Sequence, residues 1–336
     1  MSDQPTVLAW RDQRVGRLRL QRERALNALD AAMIDAIRSA LELWRTIPTL
    51  HAVVIEAAGS RAFCAGGDIR VVRSHALAGE TAAVESFFAG EYALNRAIGE
   101  YPKPYVALVD GICMGGGVGI SVHGSARVAT EAAVFAMPET GIGFFPDIGA
   151  TFLLPRLPGA LGMYVGLTSA RMQGADAVHA GLATHFVRRE RLPALAAALP
   201  RDGVAALAVH AEPLPAAGFA PHRAAIDRCF GRDSVPAILA ALAAEESDWA
   251  RETTAILRSR SPTSLFLTHA MLTAGATRDL PACLAAELAL TRAVTRHPDF
   301  AEGVRAVVVD KDQAPRWSPA RIEDVDPGQI AAMLAG

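Results

Sequence analysis

Three glycine-rich corners, each placed directly after a short apolar run, constrain this chain more than any other feature. They read AFCAGGDI at 62–69, GICMGGGVGI at 111–120 and ETGIGFFPDIG at 139–149. The runs at Val15 to Leu20, His51 to Glu56 and Tyr105 to Val109 are brief and β-branched, as strands are. Between them lie longer stretches of helical period, the first from Asp30 to Arg45 with Asp30 as its N-cap. That alternation predicts an α/β fold, in which ligands sit where strands end and helices begin. The glycine corners are therefore where chemistry is expected.

From about residue 191 the chain turns rich in Ala and Pro (LPALAAALP, AEPLPAAGFAPH) and then helical, near 234–258, 262–274 and 280–296, with Pro262 and Pro281 suited to first turns. The expected division is an α/β core over 1–190, a connector around a short helix over 191–235 and a helical region over 236–336. With 336 residues, 51% hydrophobic and 20% charged, a disordered or fibrous chain is excluded. The balance of 33 basic against 35 acidic residues, with no basic tract, makes nucleic acid and anionic membrane poor partners. Cys64, Cys113, Cys229 and Cys283 lack metal or disulfide spacing and read as reduced, buried thiols. The N-terminal stretch has no cationic start followed by an apolar run, and the apolar stretch from Tyr105 to Val122 is broken by Asp110, so a soluble, cytoplasmic protein is expected. Lys103 and Lys311 are the only lysines, which leaves Schiff-base chemistry almost no candidate.

Several site readings fail on spacing. GISVHG at 119–124 has His123 where a nucleophile elbow needs Gly, and two residues apart on a helix Ser121 and His123 face different ways. Neither dinucleotide nor phosphate-loop glycine spacing is present, and His179 and His185 have no carboxylate at metal distance in sequence, so no metal is expected. What remains is backbone chemistry. Gly66-Gly67 and Gly115-Gly116-Gly117 let a substrate approach main-chain N–H groups with no Cβ in the way, and two such groups converging on one point make an oxyanion hole. Tight turns and close helix packing are the alternative. Glu139 and Asp147 are acids in apolar surroundings; Asp147 reads as a helix cap or as a group held dry for proton transfer.

Taken together, RLRLQRERALNALD, FCAGGDIR, GICMGGGVGISVHG, FAMPETGIGFFPDIG and RLPGALGMYVGLTSARMQGADAVHAGLATHFV resemble the crotonase (enoyl-CoA hydratase/isomerase) superfamily. SVHG, FAMPET, FFPD, AGLATHFV and the C-terminal RHPDFAEGVRAVVVDKDQAPRWSP are similar to its branch of 3-hydroxyisobutyryl-CoA hydrolases. The resemblance implies the ClpP/crotonase-like spiral of ββα units with a helical C-terminal part, and a trimer or dimer of trimers. It implies that the N–H groups of Gly67 and Gly116 hold a thioester carbonyl, and that Arg24, Ala25, Leu26, Ala65, Asp68 and Ile69 cradle CoA. Glu139 matches the second catalytic glutamate of the hydratases, Asp147 a second acid of the hydrolases, and Glu91, otherwise an exposed helix residue, a substrate contact. The first hydratase glutamate would fall at Gly119, which has no acid. Water addition to a conjugated double bond uses two carboxylates, whereas thioester hydrolysis needs an oxyanion hole and one activated nucleophile. The expectation is thus hydrolysis of a short β-hydroxyacyl-CoA, most of all 3-hydroxyisobutyryl-CoA, with Glu139 as base or nucleophile. No cofactor is expected, since CoA belongs to the substrate. The rivals are an enoyl-CoA hydratase and a non-catalytic CoA-binding or scaffold relative. DKD at 310–312 reads as a solvated turn.

Overall fold

The computed structural model describes residues 5–335. By packing, the chain divides into two units built from interleaved segments. The first comprises the chain up to Gly67, Gly90–Ala136 and Arg171–Gly218; the second comprises Asp68–Ala89, Met137–Ala170 and the chain from Phe219 on.

The first unit carries all ten strands of the described residues. They are β1 (Val7–Asp12), β2 (Val15–Leu20), β3 (Ala52–Ala57), β4 (Ala62–Cys64), β5 (Tyr105–Val109), β6 (Ile112–Met114), β7 (Ala126–Ala129), β8 (Val134–Ala136), β9 (Met172–Gln173) and β10 (His185–Phe186). A six-stranded sheet runs β1-β2-β3-β5-β7-β10 and a four-stranded one β4-β6-β8-β9. Only the β1–β2 hairpin and the β8–β9 edge are antiparallel. The pairs β3/β4, β5/β6 and β7/β8 each place one strand in the large sheet and the next in the small one, as the spiral implied by the resemblance requires. The strands β3 and β5 read as near-continuous apolar runs because parallel strands are covered on both faces. Every residue of β5 is buried.

The Ala/Pro-rich stretch after residue 191 supplies part of that cover. Leu195, Ala198 and Leu199, at helical spacing, join Val54, Val106, Leu108 and Val128 in one buried cluster. The helix α1 (Ala31–Arg45) starts as expected, the Asp30 carboxylate accepting from the Met33 N–H at 2.8 Å.

The second unit is helical. It includes α2 (Ile69–Leu77), helices Val235–Ala244 and Asp248–Ser259 in place of one segment over 234–258, and helices Pro262–Gly275 and Leu280–Val294. The split falls at Glu246, whose φ is +52°, and Ser247 caps the next helix by accepting from the Ala250 N–H. Among the described residues no helix is long and apolar enough to cross a membrane.

Candidate active site

In the first unit, β4 and β6 pair in parallel, with Ala62 opposite Ile112 and Cys64 opposite Cys113. Residues that follow parallel neighbours must leave the sheet side by side, so the two glycine corners emerge together. Gly115, at φ +47° and ψ −122°, occupies a region open in practice only to glycine and turns the chain into α4 (Gly116–Val122). A side-chain carbon on Gly116 would overlap the Glu91 Oε1 and lie 3.1 Å from the Gly67 nitrogen and 3.3 Å from Leu29 Cδ1. One on Gly117 would overlap the Cys64 carbonyl. At Gly117 the obstacle is backbone, so only glycine fits, whereas at Gly116 it is the movable end of Glu91, with the Gly67 nitrogen close by.

Glu91 belongs to the helix α3 (Thr81–Gly99) and is 2% exposed, not the surface residue that a charged helical position suggests. Burial first, and Glu91 second, push the Cys64 thiol up to about 12, so no thiolate chemistry competes here. The turn that carries Arg24, Ala25 and Leu26 is tied to the same corner. The Ala65 N–H donates to the Leu26 carbonyl at 3.0 Å, Leu29 N–H to Gly66 O at 2.8 Å, and Asn27 Nδ2 to Ala62 O at 3.0 Å. Arg24 itself is exposed. Ser121, whose Oγ donates to the Val118 carbonyl at 2.9 Å, is fully buried and structural.

Asp68 and Ile69 open α2 in the second unit, which also holds Glu139 and Asp147. Glu139 begins a 3-10 turn, Glu139–Ile142, and is 5% exposed. That turn is clamped by two close backbone approaches. A Cβ on Gly143 would overlap the Asp299 carbonyl, and one on Gly303 the Ile142 backbone. Main-chain bonds from Phe144 N to Glu139 O at 3.0 Å and from Ser261 N to Thr140 O at 3.1 Å complete the hold.

Asp147 follows an aromatic wall, Phe144 stacking on Phe88 at 5.3 Å and on Phe145 at 4.7 Å. It is buried, 5% exposed, and it is not the N-cap of the short helix α5 (Ala150–Leu153), a position that Gly149 takes. The capping carboxylate is Glu287, from the helix Leu280–Val294. Its Oε2 accepts the Gly149 N–H at 2.7 Å and its Oε1 the Thr151 N–H at 3.0 Å and the Thr151 hydroxyl. The sequence reading missed Glu287, although a signal existed. It falls on the buried stripe Cys283, Leu284, Leu290, Thr291 and Val294, where an acid is out of place.

Complete burial pushes the Glu287 carboxyl from its ordinary 4.5 up to about 8, with the bonds from Thr151 and Gly149 opposing and the nearby Asp147 adding to the rise. Because the folded protein holds this proton more tightly than the unfolded chain, the group's contribution to stability is complete below about pH 4.5 and is lost as pH rises through about 8. Calorimetric melting should therefore show the wild-type midpoint falling more steeply over that interval than the midpoint of Glu287→Gln, which does not titrate. Parallel pH profiles would refute the assignment.

The other polar features that the sequence offered are structural. DKD at 310–312 is a turn, Arg305 pairing with Asp310 and Asp312 at 2.7 Å each. His179 bonds the Pro215 carbonyl at 2.8 Å and His185 the Thr184 hydroxyl at 2.7 Å. All four cysteines are free and buried.

Comparison with known proteins agrees with this architecture. The profile of the enoyl-CoA hydratase/isomerase family matches residues 15–334. A Xenopus tropicalis protein named 3-hydroxyisobutyryl-CoA hydrolase, mitochondrial, is 45% identical over 322 residues, covering 92% of this chain and 83% of the relative. A solved structure described as a carnitinyl-CoA dehydratase from Mycobacterium thermoresistibile is 39% identical with a TM-score of 0.95, covering 99% of this chain and 97% of that one. Another, described as an enoyl-CoA hydratase from Rhodobacter sphaeroides 2.4.1, is 40% identical with a TM-score of 0.93, covering 98% and 97%. The chain belongs to the enoyl-CoA hydratase/isomerase family.

Proposed function

We propose that this protein hydrolyses the thioester of a short β-hydroxyacyl-CoA, foremost 3-hydroxyisobutyryl-CoA, to the free hydroxy acid and CoA, a step of valine breakdown. The observation that carries the reading is a buried Glu139 in a chain whose α4 has Gly119, with no acid, one turn after Gly116. The 45% identity to a protein named for that hydrolysis supports it. Roles follow from chemistry. The N–H groups of Gly67 and Gly116 take the charge that develops on the carbonyl oxygen as the tetrahedral intermediate forms. Glu139 either removes a proton from the attacking water or attacks the carbonyl itself, forming a mixed anhydride that water then opens. In both routes the CoA thiolate leaves and takes up a proton. Asp147 and Glu91 meet the substrate hydroxyl, while Arg24, Ala25, Leu26, Ala65, Asp68 and Ile69 cradle CoA. The proposal needs no metal or redox cofactor, because CoA enters and leaves as part of the substrate.

The dehydratase and hydratase descriptions of the two solved structures favour a second reading, addition of water to a double bond. A panel of CoA esters separates the two. Thiol release from 3-hydroxyisobutyryl-CoA and 3-hydroxypropionyl-CoA should exceed that from isobutyryl-CoA and acetyl-CoA by about 10²-fold or more in kcat/KM, since a site built to hydrogen-bond a substrate hydroxyl rejects the analogue that lacks it. Crotonyl-CoA should be hydrated negligibly. Equal hydrolysis of butyryl-CoA and 3-hydroxybutyryl-CoA, or brisk crotonyl-CoA hydration, would move the second reading ahead.

The proposal includes a homo-oligomer, a trimer or dimer of trimers, to be read from light scattering. The cytoplasmic location expected from the sequence is part of the proposal too. The Xenopus tropicalis relative is named as mitochondrial and does not support it, and fractionation of the native cells decides.

A further inference from the structure

We propose that Glu287 is a positioning residue that holds the turn Asp147–Thr151 and thereby fixes the Asp147 carboxyl against the substrate; this rests on the role given to Asp147 above. The turn is unfavourable by itself. Ile148 sits at φ +58°, a conformation that β-branched residues avoid, and Gly149 follows at φ +79°. The helix that it opens is four residues long and has no side-chain cap from its own N-cap residue. A chain of this shape persists only where its surroundings over-determine it.

Glu287 supplies that constraint from 136 to 138 residues away, taking both the Gly149 and the Thr151 N–H groups and the Thr151 hydroxyl. The helix Pro262–Gly275 closes the other side, since a Cβ on Gly275 would overlap the Thr151 carbonyl. Both oxygens of this carboxyl accept main-chain N–H groups, a two-acceptor hold that an amide or a hydroxyl does not reproduce. Cys283, one turn earlier on the same helix, feels the charges of Glu287, Arg156 and Arg278. Gln at 287 would set an amide N–H₂ against one of the two backbone donors, so donor would meet donor and the turn would relax.

A double-mutant cycle tests this. Glu287→Gln should lower kcat by roughly tenfold or more with KM little changed, because the effect passes through a group that acts on the bound ester. In an Asp147→Asn background the same substitution should cost less than about twofold. Equal losses in the two backgrounds would overturn the proposal and leave Glu287 a structural cap. Thr151→Val, which keeps shape and removes one donor, serves if Glu287→Gln does not fold, and its smaller loss should vanish in the same background. The cycle is run on whichever reaction the wild type performs, thiol release from 3-hydroxyisobutyryl-CoA or hydration of crotonyl-CoA. Hydration without hydrolysis would therefore refute thioester hydrolysis as the function while still judging Glu287. Should neither reaction run, the Asp147 titration followed by carboxyl 13C shift decides: a midpoint displaced by Glu287→Gln supports the proposal, and an unmoved midpoint overturns it.

Discussion

Glu139→Gln lowers the rate of thioester hydrolysis by about 10²- to 10⁴-fold, the span that a positioned acid or base supplies. Gln has the shape of Glu but neither accepts a proton from water nor attacks a carbonyl. The turn around it should survive the change, because the bonds that define it, Phe144 N to Glu139 O and Ser261 N to Thr140 O, are made by main-chain atoms. The close approaches of Gly143 to Asp299 and of Gly303 to Ile142 are likewise backbone contacts. Affinity for CoA should stay within about twofold, so the loss should fall on kcat. A variant that keeps a tenth or more of wild-type turnover, a barrier change of about 1.4 kcal/mol or less, would remove Glu139 from the role of base or nucleophile.

What the sequence made legible is local. The Asp30 cap and the strands before the glycine corners follow from patterns a few residues long, whereas Gly67 and Gly116 were singled out through the family resemblance, and parallel registration of β4 with β6 brings their corners together. The burial of Glu91 was harder to see, because charge argues for a surface position. Its helix nevertheless buries Val84, Phe88, Tyr92, Leu94 and Ile98, and Glu91 lies in that stripe. The break at Glu246 was hidden by continuous helix-forming residues on both sides, though Ser247 was available as a cap. Glu287 shows in the sequence only as an acid on a buried stripe, without its partners. Nothing near 287 in the chain announces that its carboxylate meets residues 149 and 151, and only tertiary packing decides which acid caps which turn. Likewise, no local pattern tells that the segments leaving β4 and β8 pack with the C-terminal helices rather than with the sheets they come from.

Of the glycines in the corner, Gly116 should be the one whose loss is seen in catalysis. In Gly116→Ala the new methyl meets Glu91 Oε1 and crowds the Gly67 nitrogen at 3.1 Å and Leu29 Cδ1 at 3.3 Å. The Glu91 carboxylate is the movable end of a side chain, so the corner should relax by tenths of an ångström and the protein should still fold. A donor displaced by that much no longer meets the oxyanion, and removal of one such donor typically costs about 10²- to 10³-fold in kcat. Gly117→Ala should behave differently. Its obstacle is the Cys64 carbonyl, which is backbone and cannot step aside, so the loss should appear in the melting temperature. Gly90→Ala, next to Glu91 on α3 but with only Ile34 Cγ2 at 3.8 Å, is the control. Alanine suits a helix interior better than glycine by about 0.5–1 kcal/mol, so this variant should melt slightly higher and turn over normally. If Gly116→Ala kept more than half of wild-type kcat while folding normally, the Gly116 N–H would not be an oxyanion donor, and the glycines would be there for close packing alone.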